Sequence, residues 1–268
     1  MSYLHGAIIG DIAGSRFEFN NIKTKDGWAL MHPYCRATDD TVMTCAIAKA
    51  VMTCKPDLSD LSERAVEWMQ RIGRQYPKCG YGRRFMNWMF SAGPKPYNSC
   101  GNGAAMRVSA CGYAGEELAD AIVMAREVTK VTHNHPEGIK AAEAIATCIW
   151  MARHDFTGAD ILRYIQTNYY PIDFTLDDIR DSYSFKELAQ DSVPQAIVAF
   201  LESTSYEDCI RNAISIGGDS DTIAAIAGSI AWAYYGEDRD LAQFADTYLD
   251  DALREIVYDF DDFVNERR

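Results

Sequence analysis

Residues 222–235, TIAAIAGSIAWAYY, form the most apolar helical stretch of this chain. The apolar side chains recur at three- and four-residue spacing and continue around nearly all sides of the predicted helix. Such a helix must be enclosed by other helices, because any face turned to water would expose apolar surface. The stretch therefore predicts a helical bundle with this segment at its centre.

The same periodicity extends over most of the chain. Small and apolar residues at helical spacing also fill 42–53 and 137–152. Amphipathic segments with this period lie at 60–73, 117–130, 158–168, 193–202, 206–214 and 240–264. Alternating strand patterns longer than a few residues are absent, as are tandem repeats. We predict an all-α fold, a compact single-domain multi-helix bundle over residues 1–268, in which the acidic tail 236–268 forms a pair of surface helices.

Composition narrows the class of protein. The chain has 268 residues, a net charge of −13 and eight cysteines, none of them in a Cys-x-x-Cys pair. This charge makes nucleic acid and anionic membranes poor partners and favours divalent cations or basic protein surfaces, with solubility alone as the alternative explanation. The cysteine spacing excludes zinc ribbons and thioredoxin-like motifs. The chain has no run of about 18 apolar residues, and its first residues lack the basic region of a signal peptide. We therefore expect a soluble cytoplasmic protein.

A cluster of Thr and Asp residues stands directly before the 42–53 segment, at Thr38-Asp39-Asp40-Thr41. Helix capping explains one such residue, because Thr or Asp at a helix start accepts backbone N–H bonds. Four consecutive residues exceed what a cap requires, and adjacent carboxylates repel each other unless a cation lies between them. The cluster indicates metal binding, with capping alone as the alternative.

A second cluster, Gly217-Gly218-Asp219-Ser220-Asp221-Thr222, stands before the central helix. An EF-hand loop would need Gly and Glu where the chain has Ala224 and Ile230. An aspartyl-phosphate phosphatase would need a preceding strand in an α/β chain. Two clusters of matching chemistry indicate one shared site, and four carboxylates favour two Mg²⁺, Mn²⁺ or Ca²⁺ ions over zinc.

Three further segments are weaker signals when taken alone. Gly10 to Glu18 places acidic residues around a Gly-containing turn, and Thr132 to Gly138 contains two of the five histidines. We expect these histidines to hydrogen-bond in a pocket or cap a helix rather than bind metal. Ser99 to Arg107 contains a Gly-rich turn that opens a helix in our prediction, where backbone N–H groups can hold a diphosphate or simply form a cap.

These five segments, in this order, resemble the ADP-ribosylglycohydrolase family, which includes the dinitrogenase reductase-activating glycohydrolases. The resemblance runs from about residue 4 to residue 235 and is most specific at the two Thr/Asp clusters. It implies an all-α fold, two Mg²⁺ ions with Mn²⁺ as a possible substitute, and an ADP-ribosylated protein or small ADP-ribosyl compound as substrate. It also implies hydrolysis of the glycosidic bond between ADP-ribose and its acceptor, with release of ADP-ribose through an oxocarbenium-like state.

The resemblance also implies a role for individual residues. The implied metal ligands are Thr38, Asp39, Asp40, Asp219, Asp221 and Thr222. The implied catalytic residues are the four aspartates together with Glu18, which matches the mobile acidic residue of the family. The implied substrate-binding residues are Ser99, Gly101, Asn102, Gly103 and His133. Cys100 departs from the pattern, because some relatives have an aromatic residue there. Whether residue 100 stacks on the base or ribose of the substrate is therefore left open.

Two other classes of protein remain as alternatives. One is a nucleotide-binding or structural protein without turnover, and the other is a different binuclear metallohydrolase such as a phosphatase. The carboxylate that acts as general base, the acceptor linkage and the oligomeric state have no readable signal in the sequence. The segments 19–36 and 169–192 are the expected rim loops that set acceptor choice.

Overall fold

In the computed structural model, residues 2–267 are described, and α-helices follow one another along them with no β-strand between. The helices are α1 (His5–Gly14), α2 (Asp39–Thr53), α3 (Leu61–Gly73), α4 (Arg83–Met89), α5 (Ser109–Ala114), α6 (Leu118–Thr129), α7 (Pro136–Arg153), α8 (Gly158–Asn168), α9 (Leu176–Ile179), α10 (Ala189–Leu201), α11 (Tyr206–Ser215), α12 (Ser220–Tyr235), α13 (Arg239–Asp246) and α14 (Asp251–Glu266). A 3₁₀ turn covers Asn102–Ala104. The all-α prediction is confirmed.

Helix α12 lies at the centre of the bundle, as its sequence predicts. Every residue from Ser220 to Trp232 is buried. Helices α1, α7, α10 and α11 pack around it and cover its different sides. The apolar stretch therefore forms the axis around which the fold is assembled.

Helix α1 approaches α12 more closely than side chains would ordinarily permit. Gly6, Gly10 and Gly14 recur at four-residue spacing and face α12 along the contact. A Cβ atom added to Gly10 would lie 2.1 Å from the carbonyl oxygen of Ala224, and one added to Gly14 would lie 2.4 Å from that of Ser220. Because these residues lack side chains, the two backbones come into direct contact. The contact brings Asp11 on α1 next to the start of α12.

The amphipathic segments of the sequence all correspond to helices. The segment 240–264 is divided into α13 and α14, which confirms the expected pair of helices in the acidic tail. Helix α14 packs its apolar side, including Ile256 and Phe260, onto the bundle beside α2. The short helices α4 and α9 occur in segments where the periodicity predicts none. Within residues 2–267, the helices include none with the length and apolar character that crossing a membrane requires.

Candidate active site

A cavity of about 400 Å³ opens where the first turns of α2 and α12 meet. Its walls include the acidic residues Glu18, Asp39, Asp40, Asp219 and Asp221. They also include Ser99, Gly101, Asn102, Gly103 and His133. The structure therefore brings every predicted catalytic and substrate-binding residue to one cavity, together with the predicted metal ligand Thr222. The remaining predicted ligand, Thr38, is buried directly before Asp39.

The first turn of α2 is formed by the first acidic cluster. Thr38 is the N-cap, and its hydroxyl accepts a hydrogen bond from Asp40 N at 3.4 Å. Capping thus accounts for Thr38, while Asp39 and Asp40 direct their carboxylates to the cavity. At the start of α12, Gly217 and Gly218 have φ angles of +68° and +81°, which favour glycine. This turn places Asp219 and Asp221 opposite the first cluster.

Asp11 is a site residue that the sequence prediction omits. Its carboxylate is fully buried and accepts hydrogen bonds from Thr38 Oγ1 at 2.7 Å, Thr38 N at 2.9 Å and Thr41 N at 3.1 Å. It also accepts a bond from the Thr41 hydroxyl. Asp11 therefore fixes the start of α2 from the side of α1. In the sequence, the signal for this role is the presence of an acidic residue in the middle of an apolar helical segment.

The carboxylates form two groups of three that meet at one residue. Asp11, Asp40 and Asp221 make one group, and Glu18, Asp219 and Asp221 make the other. Within each group, one oxygen atom per residue lies within 4.8 Å of the others. Asp39 lies outside both groups. Its Oδ1 lies beside Gly80, since a Cβ atom added to Gly80 would be 3.0 Å from this oxygen.

Burial and mutual repulsion disfavour ionisation of these groups. Burial raises the pKa of Asp39 to about 8 and that of Glu18 to about 7, and nearby carboxylates add to both shifts. The pKa values of Asp40 and Asp221 are also raised well above their usual range, first by burial and then by the neighbouring carboxylates. A bound cation would remove this penalty.

The donor atoms fit a hard divalent cation. Asp40 Oδ1 is buried and has no hydrogen-bond partner within residues 2–267. A buried carboxylate oxygen without a donor is costly, so its presence in a cluster of carboxylates and hydroxyls fits a site for a cation. Oxygen ligands of this kind suit Mg²⁺, Mn²⁺ or Ca²⁺.

The Gly-rich segment differs from its prediction in one respect. It forms the 3₁₀ turn, and the next helix, α5, begins only at Ser109, so the expectation that this turn opens an α-helix is wrong. The backbone at Gly101 pairs with Leu188, and Asn102 N donates to Glu187 O at 2.8 Å. These bonds replace the hydrogen bonds of a helix and hold the turn against the segment before α10.

Asn102 connects this turn to the carboxylates. Its Nδ2 donates to Asp219 Oδ2 at 2.7 Å and to Ser192 Oγ at 3.2 Å. The Asn102 side chain therefore orients Asp219, besides lining the cavity.

The two histidines of the 132–138 segment have different roles. His135 is the N-cap of α7, where its ring accepts a bond from Glu137 N. His133 is buried in the cavity wall, and its Nδ1 lies 3.1 Å from Arg107 Nη2 and 2.7 Å from Thr132 Oγ1. Burial lowers the pKa of His133 well below its usual range. Because the Arg107 guanidinium can only donate, Nδ1 accepts, and the proton of neutral His133 is on Nε2, near Gly101 and Gly103.

Arginines form a second part of the cavity wall that the sequence prediction also omits. Arg83 and Arg84 are exposed at its edge, and the Arg84 guanidinium lies 4.9 Å from the centre of the Tyr97 ring. Arg107 is fully buried in the wall, and burial lowers its pKa to about 10, so it remains charged at neutral pH. The cavity therefore has both acidic and basic regions. The Arg83-Arg84 pair after a Gly-Tyr-Gly turn was the only signal for the exposed arginines.

Comparison with known proteins places this arrangement in one family. The sequence model described as ADP-ribosylglycohydrolase matches residues 1–265. ADP-ribosylhydrolase ARH3 of Xenopus tropicalis is 27% identical, and the aligned region covers 88% of this chain and 87% of the relative. ADP-ribosyl-(dinitrogen reductase) glycohydrolase of Rhodospirillum rubrum is 25% identical, with coverage of 87% and 84%. ADP-ribosylarginine hydrolase Tri1 of Pseudomonas putida is 23% identical, with coverage of 87% and 69%.

A solved structure has the same fold. It is described as an ADP-ribosylglycohydrolase-related protein complex and superposes with a TM-score of 0.68 over 97% of this chain and 96% of its own. The identity is 22%, so the likeness concerns the fold. The family's sequence model, in contrast, matches residues 1–265, and this match shows that the chain belongs to the ADP-ribosylglycohydrolase family.

Proposed function

We propose that this protein is a Mg²⁺-dependent hydrolase that cleaves the glycosidic bond between ADP-ribose and an acceptor side chain and releases ADP-ribose. Membership of the family supports hydrolysis of ADP-ribose linkages in general. The observation that carries the proposal is that one cavity is lined by carboxylates, which we call the carboxylate region, and by arginines, which we call the arginine region. ADP-ribose has groups that suit both, because its diphosphate is anionic and its ribose hydroxyls are neutral metal ligands.

The arginine region would bind the diphosphate. Arg83 and Arg84 project from the edge of the cavity, and the Nε2–H of His133 lies beside the turn of Gly101 and Gly103. Arginine binds phosphate through paired N–H groups, and the turn adds polar backbone groups next to it. The carboxylates of the carboxylate region repel the diphosphate, so the molecule would enter with its distal ribose towards them.

The carboxylate region would hold the metal and the reacting bond. Thr38, Asp39, Asp40, Asp219, Asp221 and Thr222 are the proposed ligands. When bound, divalent ions supply positive charge that polarises the ribose hydroxyls and a water molecule. Asp11 would hold Thr38 in place, and Asn102 would do the same for Asp219.

Glu18 has a different position from Asp40, Asp219 and Asp221, which are buried. It is partly exposed, and the next residue, Phe19, is 80% exposed at the protein surface. Glu18 therefore stands between the carboxylates and solvent, where an acceptor would leave. We propose that Glu18 exchanges a proton with the departing acceptor or with the incoming water.

A panel of substrates with and without Mg²⁺ tests the proposal. The panel contains ADP-ribose on arginine, on serine and on a small acceptor, and free ADP-ribose is measured. We expect Mg²⁺-dependent release from at least one substrate and its loss in Asp219→Ala. Full Mg²⁺-dependent release by Asp219→Ala would show that the scheme is wrong.

The same panel separates the alternative functions. Calorimetry that shows tight ADP-ribose binding without any product would identify a binding protein. Release of inorganic phosphate in place of ADP-ribose would identify a phosphatase. We also propose a cytoplasmic location, supported by eight cysteines that are all free thiols.

A further inference from the structure

A second cavity, of about 480 Å³, lies next to the mouth of the first. Arg16, Phe19, Tyr34 and Arg36 are among its lining residues, and we call it the rim groove. Glu18 lines the catalytic cavity, whereas its neighbours in sequence, Phe17 and Phe19, line the rim groove. The two cavities therefore border the same short segment of backbone.

Aromatic side chains continue from one cavity into the other. Phe185 lines the catalytic cavity and stacks on Phe19, with ring centres 6.2 Å apart and planes at 26°. Phe19 is 80% exposed and Tyr34 is 82% exposed. Large aromatic side chains that are this exposed and grouped beside a reactive site are typical of binding surfaces.

The rim groove carries positive charge in a protein whose net charge is −13. In the described part of the chain, neither Arg16 nor Arg36 forms an ion pair with a carboxylate, whereas the surface residues Arg163 and Arg254 do. Arg16 lies over the Phe17 ring, 4.4 Å from its centre. Arg36 lies near enough to Glu18 to lower the pKa of that carboxyl. Because no described carboxylate lies within ion-pair distance of either guanidinium group, both can attract an anionic ligand.

The two arginines of the groove are close in sequence to residues of the catalytic cavity. Arg16 stands two residues before Glu18, and Arg36 stands two residues before Thr38. The two segments are joined by a hydrogen bond that Arg36 N donates to the Ser15 side chain, at Oγ, over 2.9 Å. The groove therefore lies beside the two chain segments that carry Glu18 and Thr38.

We infer that the rim groove binds the polypeptide segment that carries the ADP-ribosyl group, and that it selects segments with acidic residues beside the modified side chain. The inference rests on the proposed function, because it takes ADP-ribose to occupy the catalytic cavity. The acceptor then leaves past Glu18 into the rim groove. Exposed aromatic rings contact the peptide, and the two arginines attract flanking carboxylates.

Two series of three peptides test the inference, one with ADP-ribose on arginine and the other with ADP-ribose on serine. Within a series the peptides differ only in the residues that flank the modified side chain, which are Asp and Glu, Ser and Gly, or Lys. We expect kcat/KM to be about three- to tenfold higher for the acidic peptide than for the Lys peptide at low ionic strength. The preference should decrease as salt is added, because the groups are exposed. Equal kcat/KM values for the acidic and Lys peptides would overturn the inference.

Charge reversal in the groove provides the matched comparison. We take the ratio of kcat/KM for the acidic peptide to kcat/KM for the Lys peptide. In Arg16→Glu this ratio should fall to one or below, and Arg36→Gln should also reduce it. Arg163→Glu changes the net charge equally on α8 and should leave the ratio unchanged. An unchanged ratio in Arg16→Glu and Arg36→Gln would refute the role of the groove. Because each ratio is taken within one variant, a general loss of activity cancels.

The free ADP-ribosyl amino acid separates the two proposals. It lacks flanking residues, so its turnover depends on the catalytic cavity and not on the rim groove. If neither this compound nor any of the peptides is cleaved, the proposed function fails. Fluorescence anisotropy of the unhydrolysed peptides, without added metal, then still tests the groove, because tighter binding of the acidic peptide and its loss in Arg16→Glu are expected. Equal binding of all three peptides would overturn the inference.

Discussion

The hydroxyl of Thr222 donates a hydrogen bond to Asp40 Oδ2 at 3.2 Å, although the two residues are 182 positions apart in the chain. Asp40 belongs to the first turn of α2, and Thr222 to the first turn of α12. The bond joins the two acidic clusters directly. It shows that the starts of two buried helices form one site.

Asp221 should be the most sensitive carboxylate of this site, because it belongs to both groups of three. We expect Asp221→Asn to weaken Mg²⁺ binding at least tenfold and to reduce turnover at least as much. Glu18→Gln changes one group only, so its effect on Mg²⁺ affinity should be smaller. Isothermal titration calorimetry measures both affinities and the number of ions bound.

Asp173→Asn is the control for this measurement. Asp173 is exposed between α8 and α9, so its substitution removes one negative charge without touching the site. We expect its Mg²⁺ affinity to equal that of the natural protein. Wild-type affinity in Asp221→Asn would show that the shared carboxylate is not a ligand.

Stability should depend on pH in the absence of metal. Burial raises the pKa of Asp39 to about 8 and of Glu18 to about 7, so the folded protein holds protons that the unfolded chain releases near pH 4. The contribution of these protonated groups is complete below the unfolded pKa and is lost as the pH rises through about 7 to 8. We expect the melting temperature in EDTA to fall between pH 6 and pH 8.5.

Magnesium should reverse this dependence. Binding requires ionised carboxylates, so the apparent Mg²⁺ affinity should increase as the pH rises over the same range, with release of protons. Thermal melts at fixed free Mg²⁺, from pH 6 to pH 8.5, measure the effect. A melting temperature that falls equally with and without Mg²⁺ would contradict the assignment of these residues to a metal site.

A second pH effect should arise far from the cavity, at Asp261 on α14. Burial raises the pKa of Asp261 to about 6 from 3.8, although Tyr3 N donates to its Oδ1 at 2.7 Å. The protonated form thus favours folding below pH 3.8, and this contribution is lost as the pH rises through about 6. Asn keeps an acceptor for Tyr3 N without the charge. We expect Asp261→Asn to be more stable than the natural protein at pH 8, by about 1–3 kcal/mol.

Urea unfolding at pH 4 and pH 8 measures this difference. The advantage of Asp261→Asn should become small at pH 4, where the natural residue is largely protonated. The neighbouring Asp262 is exposed, so Asp262→Asn serves as the control and should change stability little at either pH. A lower stability of Asp261→Asn at pH 8 would show that the charged carboxylate is favourable there.

Residue type and periodicity are sufficient to predict the long helices and to identify both acidic clusters. Long segments with a 3.6-residue period reveal themselves locally, and consecutive Thr and Asp residues exceed what capping needs. Asp11 was not predicted, because its role depends on Thr38 and Thr41, which only the packing of α1 against α2 brings near. Arg83 and Arg84 are exposed, and apart from the Gly-Tyr-Gly turn before them nothing local distinguishes them from ordinary surface arginines. The four-residue helix α9 is too short to show a period.

The close contact of α1 with α12 should be the feature of the fold that tolerates substitution least. The spacing of Gly6, Gly10 and Gly14 is visible in the sequence, but the helix they face is not. A Cβ on Gly10 would lie 2.1 Å from a backbone oxygen, which cannot rotate away as a side chain can. We expect Gly10→Ala to destabilise the protein by about 3 kcal/mol or more in urea unfolding, despite the higher helix propensity of Ala.

Gly14→Ala should connect this packing to the site. Its added Cβ would lie 2.5 Å from Asp221 Cα, so the start of α12 must move, and with it the carboxylate that both groups share. We therefore expect weaker Mg²⁺ binding in calorimetry as well as lower stability, under conditions where the variant is still folded. Gly93→Ala is the matched control, since a Cβ there meets no described atom within 4 Å. Unchanged Mg²⁺ affinity in folded Gly14→Ala would mean that the metal site does not depend on the distance between these two helices.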